Sequence, residues 1–144
     1  MIRIICVGKL KEIYWQDAVS EYVKRISKYH KLEIVELIDS NKEKECSLIL
    51  SKINKKDYNI LLDVNGNSLD SIEFAKRLDK TFINNSNITF IIGGSDGVVN
   101  EVKNIVDFRL SFSKLTFPHQ LFRVMLLEQI YRCFKINNNE TYHK

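Results

Sequence analysis

The sequence predicts one α/β domain, a mostly parallel sheet with helices on both faces. Three observations predict it. Short apolar segments rich in β-branched residues recur along the 144-residue chain, and stretches of helical periodicity separate them. The apolar run 87–92, NITFII, ends in the glycine-rich sequence GGSDG, a strand running into a loop. No internal repeat, Pro/Gly-rich linker or composition shift divides the chain, so the whole of 1–144 reads as a single domain.

The elements follow in order. MIRIICV and KLEIVELI read as strands and bracket a helical stretch in which Ala18, Tyr22 and Ile26 recur at i+4 beside Val19 and Val23. The charged segment DSNKEKE leads into a short helix carrying Leu48, Ile49 and Ile53. NILLDV is a third strand, closed by the Asn65-Gly66 turn signal. Asp70 and Glu73 have capping-box spacing at the head of a helix carrying Phe74, Leu78 and Phe82. After the glycine loop come a short helix, NEVKNIVD, and the alternating FRLSFS. Pro118 suits the first turn of a last helix, whose buried face is expected to hold Leu121, Met125, Tyr131 and Phe134.

Composition excludes several classes. Apolar residues at 44% and charged residues at 28% are ordinary for a globular protein, not a disordered one. The start MIRIICVGKLKE has neither the apolar core nor the cleavage site of a signal peptide, and no run approaches the about 18 apolar residues of a membrane span. Cys6, Cys46 and Cys133 form no metal or disulfide pattern and read as reduced, packed thiols, which implies a cytoplasmic protein. His30, His119 and His143 lack spaced acidic or Cys partners, so no metal is expected. A net charge of +4 fits an acidic partner such as RNA without requiring one.

Parallel sheets bind ligands at the carboxyl ends of their strands, which here are 62–66, 93–97 and 113–118. The dinucleotide fingerprint fails: Ile92 stands where its first glycine belongs, and no acidic residue follows about twenty positions on. The phosphate-loop pattern is absent too. Glycine at 93 and 94 lets backbone approach a ligand closely, or simply makes a tight turn. The 113–118 run could equally be a plain loop into a helix, with Thr116 capping it. His119 is either functional or a structural hydrogen-bonding residue. Arg123 and Arg132 either meet phosphate or pair with acids such as Glu128. In YVKRISKYHK, Tyr22 and Tyr29 interleave with Lys24, Arg25, Lys28 and Lys31, an RNA-facing surface or a solvated helix face.

FIIGGSDGV, then LSFSKLTFPHQLFRVMLLEQIYRCFKI, then the terminal TYHK together resemble the RlmH family. These are bacterial SPOUT-superfamily methyltransferases that modify pseudouridine in large-subunit (23S) ribosomal RNA. The resemblance extends from IICVGKLKE to the last residue. It implies a SPOUT-type C-terminal trefoil knot, a topology that general rules would have rejected. It also implies a homodimer acting on the assembled ribosome, with S-adenosylmethionine as methyl donor and no metal. Carried over by motif, the donor's pocket would use Leu62, Gly94, Ser113, Lys114, Leu115, Thr116, Phe117 and Pro118. Tyr142, His143 and Lys144 would be catalytic candidates, reaching the active site from the partner subunit's tail. By position alone that tail would be a frayed terminus. Thr141 departs from the family's usual Pro and follows an Asn run, which implies a less rigid tail.

Two rival functions are open at this level. A non-catalytic ribosome- or RNA-binding α/β module uses the basic charge but leaves the glycine loop and the tail idle. A nucleotide-dependent oxidoreductase uses the sheet and the loop but lacks the fingerprint.

Overall fold

The computed structural model describes residues 1–94 and 97–144; Ser95 and Asp96 of the glycine loop lie outside the described residues. The elements alternate along the chain. They are β1 (Ile2–Val7), α1 (Ile13–Ile26), β2 (Leu32–Leu37), α2 (Lys42–Lys52), β3 (Tyr58–Ser68) and α3 (Ser71–Asn84). There follow β4 (Ile88–Ile92), α4 (Asn100–Ile105), β5 (Phe108–Ser111) and α5 (His119–Asn137). The five strands form one sheet in the order β2-β1-β4-β3-β5, and every pairing between them is parallel. The expected α/β class therefore holds.

Period-two alternation explains why both faces are covered. Ile4, Ile60 and Phe90 point to one side and pack with Val19 and Ile26 of α1, Phe74 and Leu78 of α3, and Leu126, Ile130 and Phe134 of α5. Their neighbours Ile5, Leu61 and Ile91 point to the other side, against Cys46 and Ile49 of α2 and Val102 of α4. A strand buried on both faces must be apolar at nearly every position, as ITFII is in β4, where all five residues are buried.

Local chemistry sets the helix ends. The Asp70–Glu73 capping box is formed: the Asp70 carboxylate accepts from the Glu73 amide at 2.8 Å, and Glu73 accepts from the Asp70 amide at 3.0 Å. At the end of α5, Asn139 takes φ 55°, the Glu140 amide reaches the Lys135 carbonyl at 2.9 Å, and the Asn139 amide reaches that of Ile136 at 3.1 Å. This is a Schellman closure with asparagine in the left-handed position. It turns the last residues back along the helix.

Two expectations are corrected. The Asn65-Gly66 pair does not close β3. The strand shifts register after Leu62 and resumes pairing with β5 through Asn67 and Ser68. Gly66 is needed for that close pass, because a Cβ there would lie 2.7 Å from the Arg109 carbonyl. On α5, Leu121 and Met125 are only half-buried, while Arg123, Leu126, Leu127 and Ile130 are fully buried. Of the two readings left open for Arg123, the structure realises the acid pair: its guanidinium lies in the core beside Glu36.

Candidate functional site

The register shift of β3 and the carboxyl ends of β4 and β5 open into one cleft of about 670 Å³. Its floor is Leu62, Ile92 and Leu110. Gly93, Gly94 and Gly97 form one wall, and the irregular segment 112–118 forms the other. Of the eight sequence-nominated pocket residues, Leu62, Gly94, Ser113, Leu115, Thr116, Phe117 and Pro118 line this cleft. Lys114, exposed on the same segment, does not.

Each wall has a physical cause. The Ser111 hydroxyl sits 3.1 Å from the carbonyls of both Val64 and Ser113, and the Ser113 hydroxyl accepts from the Leu115 amide at 3.0 Å. These bonds fold the segment over the end of β3 without regular structure. Phe112 and Phe117 both pack against Phe122 of α5, which gives the cleft an aromatic back. Leu115 is left 70% exposed at the lip, an apolar side chain with nothing of its own chain to cover it. On the glycine wall, Gly94 and Gly97 make a small antiparallel bridge, with Gly97 at φ 78°. The positive φ expected of a glycine turn falls at Gly97.

Gly94 also has a neighbour that the sequence did not reveal. A Cβ at this position would run into the carboxylate of Glu45, a buried residue of α2 whose Oε2 accepts from the Ser40 amide at 2.9 Å. Lys42 of α2, Lys103 of α4, Asp63 and His119 line the cleft as well. Neither lysine carried a motif. Only the packing of α2 and α4 on the far face of the sheet brings the two lysines there.

The tail lies elsewhere. Tyr142 stacks edge-on against Tyr131 with ring centroids 4.9 Å apart, and the Arg132 guanidinium stands 4.8 Å from its ring centre. Burial and the Glu128 carboxylate push the Tyr142 phenol above its ordinary range. Arg132 holds Glu128 through its Nε at 2.8 Å and contacts His143 Nδ1 at 3.1 Å. A guanidinium can only donate, so Nδ1 accepts and the ring proton sits on Nε2. Lys144 is exposed. None of the three tail candidates lines the cleft of its own chain.

The basic run of α1 resolves into two parts. Tyr22 and Tyr29 pack inward on Tyr131 and Phe134, while Arg25 pairs with Glu21 at 2.9 Å; Lys24, Lys28 and Lys31 are exposed. Among the described residues, no group of three or more His, Cys, Asp or Glu could hold a metal ion, and no helix is long and apolar enough to cross a membrane.

The family described as "Predicted SPOUT methyltransferase" matches residues 1–143. The chain is 52% identical to ribosomal RNA large subunit methyltransferase H 1 of Clostridium perfringens and 50% identical to methyltransferase H of Clostridium tetani. Each alignment covers 99% of both chains. Among solved structures, a probable methylase family protein from Haemophilus influenzae shares the fold at TM-score 0.56 and 13% identity, over 99% of this chain and 70% of that one. The chain belongs to the SPOUT methyltransferase family, in its RlmH branch.

Proposed function

We propose that this protein transfers a methyl group from S-adenosylmethionine to N3 of a pseudouridine in 23S ribosomal RNA, on the assembled ribosome. The observation that carries the proposal is the meeting of the glycine wall and the 112–118 segment around one cleft. An adenine fits an apolar slot edged by backbone donors and acceptors. Leu62, Leu110, Phe112 and Phe117 supply the slot, and Gly97, where a Cβ would meet nothing within 4 Å, leaves room beside it. The close relatives named as ribosomal RNA large subunit methyltransferases support the same substrate class for this chain.

The reaction balances simply. N3 gives up its proton, its electron pair attacks the sulfonium methyl carbon, and the carbon–sulfur bond breaks with its pair going to sulfur. The protein's task is to bring the two centres together and stabilise the N3 anion. With Nδ1 engaged by Arg132, His143 offers an Nε2–H donor to a carbonyl flanking N3, and Lys144 adds a positive charge. Both act by favouring the anion. The proton then leaves to solvent.

The tail does not line its own cleft, which supports its delivery to the cleft of a second copy in a two-fold dimer. Leu121, Phe122, Val124 and Met125 remain half-buried on α5, an apolar face that a second copy would cover. The trefoil knot expected of the family belongs to the same reading.

The test is transfer of labelled methyl groups to ribosomes lacking this one modification, with calorimetric titration of S-adenosylmethionine. Incorporation at N3 with measurable donor binding is expected. A protein that binds ribosomes but not S-adenosylmethionine would be the non-catalytic module instead.

A further inference from the structure

The tail leaves α5 at Asn139, whose left-handed backbone sends Glu140 back across the helix face. The Glu140 carboxylate is then gripped from two elements. Its Oε1 accepts from the Tyr29 hydroxyl, just beyond the end of α1, at 2.8 Å; its Oε2 lies 3.0 Å from Lys135 Nζ on α5. Lys135 Nζ stands 5.8 Å from the ring centre of Tyr29 and 5.5 Å from that of Tyr131, while Tyr29 stacks on Phe134 at 5.4 Å and 0°. The clamp therefore rests on a rigid aromatic base. Two residues further on, Tyr142 meets the same Tyr131, and Arg132 holds His143. The segment 140–143 is thus fixed at three points on one helix face, with the exposed Thr141 between them.

We infer that Glu140, held by Tyr29 and Lys135, is a positioning residue that sets the direction in which Tyr142, His143 and Lys144 are presented for methyl transfer. This rests on the proposed catalytic role of the tail. A proline would stiffen the turn through its fixed φ; here two charge-assisted contacts from separate helical regions do so through the side chain. The clamp lies on the α1–α5 face, away from the cleft, so its loss acts on chemistry and leaves donor binding alone.

The experiment compares Glu140→Ala, Tyr29→Phe, the double variant, and a chain lacking 141–144. Each is assayed for kcat with S-adenosylmethionine and unmodified ribosomes, for donor affinity by calorimetry, and for tail mobility by amide NMR relaxation. Glu140→Ala should lower kcat about 10- to 100-fold, the cost of slight misplacement of reacting groups. Donor affinity should be unchanged and the order parameters of 141–144 should drop. Tyr29→Phe should give a smaller loss, and the double variant should be no worse than Glu140→Ala alone. A Glu140→Ala tail as ordered and as active as wild type overturns the inference while leaving the catalytic tail standing, provided that the truncated chain is dead. A fully active truncated chain overturns both.

Discussion

Arg123 Nη1 lies 2.6 Å from the Glu36 carboxylate, and Arg123 Nη2 donates to the Gly8 carbonyl at 3.0 Å, so one side chain joins α5 to the ends of β1 and β2. The Arg123 side chain is 2% exposed; that of Glu36 is 37% exposed. Burial so deep requires acceptors for the charge; Glu36, Val7 and Gly8 supply them to Nη1 and Nη2, while the buried Nε has no partner among the described residues. The contact fixes the first turns of α5, which carry the aromatic back of the cleft.

Arg123→Leu should destabilise the fold by about 3 kcal/mol, because breaking a buried pair strands its partners. The reciprocal change, Glu36→Gln, should destabilise too, since it leaves a buried guanidinium facing only neutral acceptors. Urea unfolding followed by circular dichroism measures both. Equal, small losses would mean that the pair does not anchor the helix.

The cleft can be probed at Phe117 with less ambiguity than at Gly94. Gly94→Val pushes its side chain into the Glu45 carboxylate as well as toward the ligand, so it should cost both donor affinity and melting temperature. Phe117 sits on an irregular segment outside the core. Phe117→Ala should weaken S-adenosylmethionine binding about tenfold or more, from roughly 1.5–3 kcal/mol of lost aromatic burial, with little change in melting temperature. Calorimetry beside a thermal melt separates the two cases.

Complementation tests the shared site. A chain lacking 141–144 and a Gly94→Val chain should each be inactive as homodimers. Refolded together in equal amounts, half the dimers are mixed and each has one intact site, giving about a quarter of wild-type activity. An inactive mixture in which mixed dimers are shown to form means that each site is built from one chain.

The clamp at Glu140 should respond to acid. Contacts with Tyr29 and Lys135 hold this carboxyl below its ordinary value. A depressed folded-state value means that the clamp's contribution is complete above the usual carboxylate range and is lost as pH falls through the lowered value. NMR relaxation of 141–144 should therefore show an ordered tail at neutral pH that loosens only in acid. In Glu140→Gln that pH dependence should vanish.

The three thiols make a simple check on packing. Cys6, Cys46 and Cys133 are all buried, and desolvation raises the Cys6 thiol to about 11 and pushes Cys133 up as well. At pH 8 a thiol reagent should modify none of them quickly in the folded protein and all three in urea. Rapid labelling of the native chain would contradict the packing of β1 and α5.

The sequence by itself determined the parallel α/β order, because doubly buried strands such as ITFII and capped amphipathic helices are local patterns with a fixed period. It also pointed to the cleft: glycines and the SKLTFP segment stand at strand ends, and family resemblance tied them together. Arg123 could not be read this way, since its sequence neighbours offer no hint that Glu36, Val7 and Gly8 surround it. The run of β3 past Gly66 was equally hidden, because an Asn-Gly pair signals a turn unless a distant strand, here Arg109 on β5, passes close enough to extend the pairing. Glu45 behind Gly94, the lysines at the cleft and the clamp on Glu140 share that reason. Each joins residues from separate elements, and only the packing of helices on the two faces of the sheet decides which of those side chains meet.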